Sequence, residues 1–234
     1  MRASRGRGVV RHLGMPKSVR RVPQSVDLHG FLNDRAADPS ASGAWYVYLF
    51  ALADCSAFKV GFSCQPLQRI FTFSRRYFER FDLRQSLLLE VPDCEAARAL
   101  EADLKVTFAA HRAEAPAWVP LPAGGHTEWF GAVYFGEVAA RLRAIGKAEP
   151  ACAFDVLRTQ LERARASFEM WAAQQAQLVC EAWSSAQRGY AVKDRRGVLR
   201  DWLDAYRYFD LHLFSDEPRL YEFVRQSARG PGLR

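Results

Sequence analysis

No stretch of the chain is apolar over the ~18 residues that a membrane-spanning helix needs, so a helical membrane protein is not expected. There is no C-x-x-C pair either. The five cysteines, Cys55, Cys64, Cys94, Cys152 and Cys180, are scattered and odd in number, which argues against a disulfide framework or a zinc ribbon. A reducing, cytoplasmic setting is the expectation. The first residues carry charge but no apolar core of a secretory signal. Internal repeats are lacking. Residues 1–26 contain no acid at all while carrying Arg2, Arg5, Arg7, Arg11, Lys17, Arg20 and Arg21.

What is present is an ordinary globular composition, 49% apolar and 25% charged, in 234 residues. That length holds one large domain, or a compact one with appendages. Of the net +7, residues 1–26 supply +7, residues 27–135 supply −3 and residues 136–234 supply +3. A basic arm of this kind neutralises phosphates without reading sequence. It reads equally as a solubilising tail or an over-long start of the reading frame.

The local pattern divides the chain into a basic arm, 1–40, an α/β module, 44–135, and a helical region, 136–234. Within the module, Trp45 to Phe50 and Ala57 to Val60 read as two strands paired in a hairpin. A helix starts at Pro66, with Leu67, Ile70, Phe71, Ser74, Phe78 and Phe81 as its inner face. Ser86 to Val91 reads as a third strand. Asp93 caps a helix whose apolar stripe is Ala97, Leu100, Leu104 and Phe108. A proline- and glycine-bearing loop over residues 113–127 leads to Glu128-Trp129-Phe130. The fold class expected is α+β, a small, mostly antiparallel sheet of three strands flanked by helices, followed by an all-helical region. In that region Phe154, Leu157, Leu161, Ala164, Phe168, Trp171, Gln175, Leu178 and Ala182 step by three and four. Such a seam either packs on its own protein or self-associates as a coiled coil over about 154–188, with Gln175 fixing register. Gly189 stops the helix, and two more follow over about 197–213 and 217–227.

Several side chains in the module could carry chemistry. Tyr46 and Tyr48 are two apart in a strand and share a face. Lys59 and Gly61 share a face of the next strand, and if Val47, Leu49, Phe58 and Val60 line the core, these groups gather opposite. Gly61 leaves room there for a backbone or a phosphate. Arg69 lies in the first turn of the following helix, and Arg76 and Arg80 recur at helical spacing, with Arg75 nearby. A guanidinium suits a phosphodiester because its fork donates two parallel hydrogen bonds. Glu101 sits beside the apolar stripe of its helix. One carboxylate plus waters is a workable Mg²⁺ site. Singly, a strand tyrosine packs, a lone Lys or Arg is solvated, and a helical Glu binds nothing; order and spacing carry the reading.

That order resembles the GIY-YIG endonuclease superfamily. Tyr46-Val47-Tyr48 stands for the first motif, Lys59-Val60-Gly61 for the second, Arg69 follows that glycine by eight residues, and Ala99-Leu100-Glu101 supplies the glutamate. The phage-type subgroup, with Lys-Ile-Gly as its second motif and a Glu-Trp-Phe ending, is the most similar. The resemblance implies a phosphodiester hydrolase acting on DNA with Mg²⁺ or Mn²⁺. Tyr48 would help deprotonate the attacking water, and Lys59 would lower that phenol's pKa or hold the water. Arg69 would stabilise charge on the phosphoryl oxygens, and Glu101 would hold the ion. Three departures from the pattern support an inactivated DNA-binding or interaction module as the alternative. The first motif lacks its glycine, Phe73 stands one turn after Arg69 where a His or Tyr is common, and Lys105 stands one turn after Glu101 where a His is common. His111 or His126 could substitute. A third reading is an assembly protein working through the helical half.

Overall fold

The computed structural model describes residues 44–184 and 190–213. The basic arm, Gly189 and the helix expected over 217–227 lie outside them, and of Gln175, Leu178 and Ala182 only the backbone is described.

The class is α+β, as the sequence predicts, but the sheet has five strands rather than three. Strands β1 (Trp45–Ala51), β2 (Ala57–Ser63) and β3 (Leu87–Val91) are the three expected. Two short edge strands, β4 (Trp129–Gly131) and β5 (Ala151–Cys152), complete the order β4-β2-β1-β3-β5, with antiparallel pairing throughout. Segments of three and two residues are too short to show a period of two, which is why patterning misses them.

Both faces of the sheet are buried. On one, Val47, Leu49, Phe58, Val60 and Leu89 pack with α3 (Cys94–Thr107) and α4 (Phe135–Gly146), through Ala97, Leu100, Leu104 and Leu142. Asp93 caps α3 as expected, its carboxylate accepting from the Ala96 amide at 2.8 Å. On the other face, Tyr48, Phe50, Leu88 and Trp129 share a core with helices from both halves of the chain. These are α1 (Pro66–Phe73), α2 (Tyr77–Arg80), α5 (Ala153–Ser184) and α6 (Tyr190–Tyr208).

The single helix expected from Pro66 to Phe81 is broken. Ser74 takes extended angles, φ −157 and ψ 131, and its hydroxyl accepts from the Arg76 amide at 3.2 Å. A serine that bonds locally to the backbone competes with helix continuation. Phe73 and Tyr77, on either side of the break, are both fully buried.

The described part of the heptad seam is covered by the chain's own residues. Phe154, Leu157, Leu161, Phe168 and Trp171 are buried. Phe168 stacks on Tyr206 at 4.6 Å, and the Tyr206 hydroxyl donates to the Leu161 carbonyl at 2.9 Å. Phe71 of α1 stacks on Trp202 of α6 at 4.5 Å, tying the helical half to the sheet module. Among the described residues no helix is long and apolar enough to cross a membrane.

Candidate active site

The β1–β2 ladder decides which side chains meet. Tyr48 lies opposite Gly61 and Phe50 opposite Lys59, so all four belong to one face, as alternation predicts. A Cβ added at Gly61 would collide with the Tyr48 hydroxyl and ring, so glycine is what lets the phenol lie flat across β2. Tyr48 is 1% exposed and stacks on Phe50 at 4.3 Å.

Arg69 projects from the first turn of α1 onto the phenol. Its Nε donates to the Tyr48 hydroxyl oxygen at 3.3 Å, and its Nη1 donates to the Ala123 carbonyl at 2.7 Å and weakly to Thr72 at 3.4 Å. The guanidinium lies over the Phe73 ring at 4.5 Å. Nη2 has no hydrogen-bond partner among the described residues. Burial pushes the Tyr48 hydroxyl up to about 12, with the Arg69 charge and hydrogen bond pulling the other way. The carboxylates of Glu101 and Glu128 raise it as well.

The Lys59 ammonium, on a side chain 1% exposed and one ladder step from Tyr48, makes its hydrogen bonds to Glu128 Oε2 and the Val60 carbonyl, both at 2.9 Å. The rings of Phe73 and Trp129 flank it at 5.9 Å. Burial pulls Lys59 down to about 8, with Glu128 opposing. Burial would raise the Glu128 carboxyl, but the Lys59 ammonium and then Lys105 outweigh it and hold the carboxyl at about 2. The cation that touches the phenol is therefore Arg69.

Strand β4 sets Glu128. Trp129 pairs with Lys59, and the Val60 amide donates to the Glu128 carbonyl at 3.0 Å, so the Glu128 side chain stands at the end of the lysine. Gly125, at φ +68, closes over the pair; a Cβ there would lie 2.8 Å from Glu128 Oε2 and 2.9 Å from Lys59 Nζ. Sequence reading gives Glu128 no role of its own. The signal was available in physical terms, since a buried lysine requires a carboxylate and the ladder brings this one within reach.

Glu101, on α3, is 14% exposed at its side chain and meets Lys105 one turn on, Oε2 to Nζ, at 3.4 Å. Lys105 also reaches Glu128 Oε1 at 3.3 Å. A chain of alternating charge thus runs Lys59–Glu128–Lys105–Glu101. Glu101 Oε1 has no hydrogen-bond partner among the described residues. No group of three His, Cys, Asp or Glu side chains suited to a metal occurs among the described residues. One carboxylate oxygen without a hydrogen-bond partner among the described residues fits Mg²⁺ or Mn²⁺, which retain much of their water shell, and does not fit zinc.

The remaining expected residues lie elsewhere. The Tyr46 hydroxyl donates to Glu90 on β3 at 3.4 Å, and burial and then Glu90 raise its pKa. Arg76 binds Glu79, Asp201 and Asp204, with Glu79 the largest influence holding it above the ordinary arginine range. Arg75 lies 3.6 Å from Asp201. Arg80 sits by the β1–β2 turn over Trp118 at 5.4 Å. His111 stacks on Tyr134 at 3.8 Å, and His126 buries an Nε2 without a hydrogen-bond partner among the described residues.

Comparison of the chain with protein families, with curated proteins and with solved structures finds no match.

Proposed function

We propose that the chain is a divalent-metal-dependent DNA endonuclease of the GIY-YIG kind. The observation that carries the reading is the Tyr48–Arg69 pair at 3.3 Å, held over Gly61 within electrostatic reach of Glu101. A tyrosine hydroxyl, a guanidinium whose Nη2 has no hydrogen-bond partner among the described residues and a carboxylate with one such oxygen are groups that hydrolysis of a phosphodiester uses at one place. Arg69 Nη2 binds a phosphoryl oxygen and stabilises the charge that grows there in the transition state. Tyr48, its oxygen already accepting from Arg69, would release its own proton to solvent and, as the phenolate, take the proton of the attacking water. At about 12 the phenol is a weak acid, so positive charge must gather beside it as substrate binds. A divalent ion held by Glu101 would supply that charge and neutralise the leaving oxygen. Lys59 and Glu128 hold the floor of the site rigid, and Lys59 steadies the local potential. The basic residues 1–26 add affinity for the DNA backbone, as do Arg75 and Arg80.

A metal-titrated cleavage assay on supercoiled, linear and branched DNA tests this. Cutting that needs Mg²⁺ or Mn²⁺ and disappears in Glu101→Gln supports it, and cutting untouched by that change removes it. The deep burial of Tyr48 favours a second reading, a DNA-binding module without turnover. That reading predicts salt-sensitive binding and no product under any divalent metal.

A further inference from the structure

Lys105 is the one cation of the cluster that is not built in. Lys59 is sealed beneath Trp129 and Phe73, and Arg69 is pinned by Tyr48 and Ala123. Lys105 is 28% exposed at its side chain and makes only long contacts, 3.4 Å to Glu101 Oε2 and 3.3 Å to Glu128 Oε1. Its ammonium stands on the carboxylate that the proposed function assigns to a divalent ion. At 3.4 Å this i,i+4 pair is long and weak, so a doubly charged ion can displace it. Displacement also has a destination. Glu128 spends Oε2 on Lys59 and offers Oε1 to Lys105, so the ammonium can leave Glu101 without losing a partner.

We infer that Lys105 is an internal competitor for the Glu101 metal site, bridging Glu101 and Glu128 and withdrawing to Glu128 when a divalent cation binds. Lys105 is then a positioning residue that sets metal affinity. It neutralises Glu101 when no ion is present, and it adds repulsion that weakens an ion once bound. The inference rests on the proposed function only for the identity of Glu101 as the ligand.

The test is Mn²⁺ binding to the full chain, followed without turnover by the loss of the free-ion electron paramagnetic resonance signal. Wild type, Lys105→Met, Lys105→Arg and Glu101→Gln are compared at one pH. Lys105→Met should bind Mn²⁺ about threefold or more tightly than wild type, Lys105→Arg should stay near wild type because it keeps the charge, and Glu101→Gln should lose the site. Equal or weaker binding by Lys105→Met overturns the inference, as does binding that Glu101→Gln leaves intact or an absence of binding in every form. The two proposals separate cleanly. Tighter binding by Lys105→Met in a protein that cuts no DNA sustains the competitor and removes the nuclease, whereas metal-dependent cutting with equal Mn²⁺ affinity does the reverse.

Discussion

Gly61 lies directly across the ladder from Tyr48, and any side chain on it would occupy the volume of the Tyr48 hydroxyl. The phenol is seated by the absence of a side chain opposite. Gly61→Ala must therefore displace the buried Tyr48 ring. Overpacking of this kind costs ~1–3 kcal/mol. Thermal unfolding should show a lowered midpoint, with DNA cleavage lost more completely than stability, because the Tyr48–Arg69 contact goes first.

Tyr48→Phe removes a single oxygen whose one hydrogen-bond partner among the described residues is Arg69. Stability should fall by less than ~1.5 kcal/mol in denaturant titration. Cleavage should fall by about 10²–10⁴-fold if the hydroxyl is the general base. A variant that unfolds readily, or one that cuts at the wild-type rate, contradicts the assignment.

The Lys59–Glu128 pair predicts a pH signature in stability. Below pH 8 Lys59 is charged in both the folded and unfolded chains. Between about 8 and 10.5 the folded chain has released the proton and the unfolded chain keeps it, so stability rises with pH in that window. Lys59→Met should erase the rise. Glu128 acts at the other end. Its carboxyl is held at about 2 against an ordinary 4.5, so its contribution is complete above 4.5 and disappears as pH falls toward 2. Urea unfolding across pH checks both limbs, and a fall in stability from pH 8 to 10 that Lys59→Met abolishes would count against this account.

Arg76 links α2 to α6 through Asp201, whose side chain is 4% exposed, and through Asp204. Arg76→Ala leaves Asp201 to Arg75 and Arg200, at 3.6 and 3.4 Å. A loss of ~1–3 kcal/mol is expected for a weakened buried carboxylate. DNA affinity should hardly change, since the guanidinium is already engaged within the protein. A filter-binding or anisotropy titration showing strong loss of DNA binding at unchanged stability would restore Arg76 as a phosphate contact.

Much of the central architecture was legible because alternation in β1 and β2 is regular. The placement of Tyr48, Gly61, Phe50 and Lys59 on one face follows from counting by two, and the Asp93 cap and the α3 stripe follow from counting by three and four. What patterning could not supply are features that depend on contacts distant in sequence. Strands β4 and β5 exist because a sheet edge is available, not because their own residues insist. The break at Ser74 goes with a local bond from the Arg76 amide to the serine hydroxyl, which apolar periodicity does not register. The partner of Lys59, 69 residues away, is fixed only by the β2–β4 register. The acidic partners of Arg76 on α6 are invisible to local pattern because they lie 125 and 128 residues further along the chain.

The central claim is that Tyr48 and Arg69 act as one unit on one phosphate. The direct measurement is the single-turnover rate of supercoiled plasmid cleavage, in Mg²⁺, by wild type, Tyr48→Phe, Arg69→Ala and the double variant. Groups acting as a unit give a double variant about as slow as the slower single one. Losses that multiply, or singles that cut as fast as wild type, would contradict the claim.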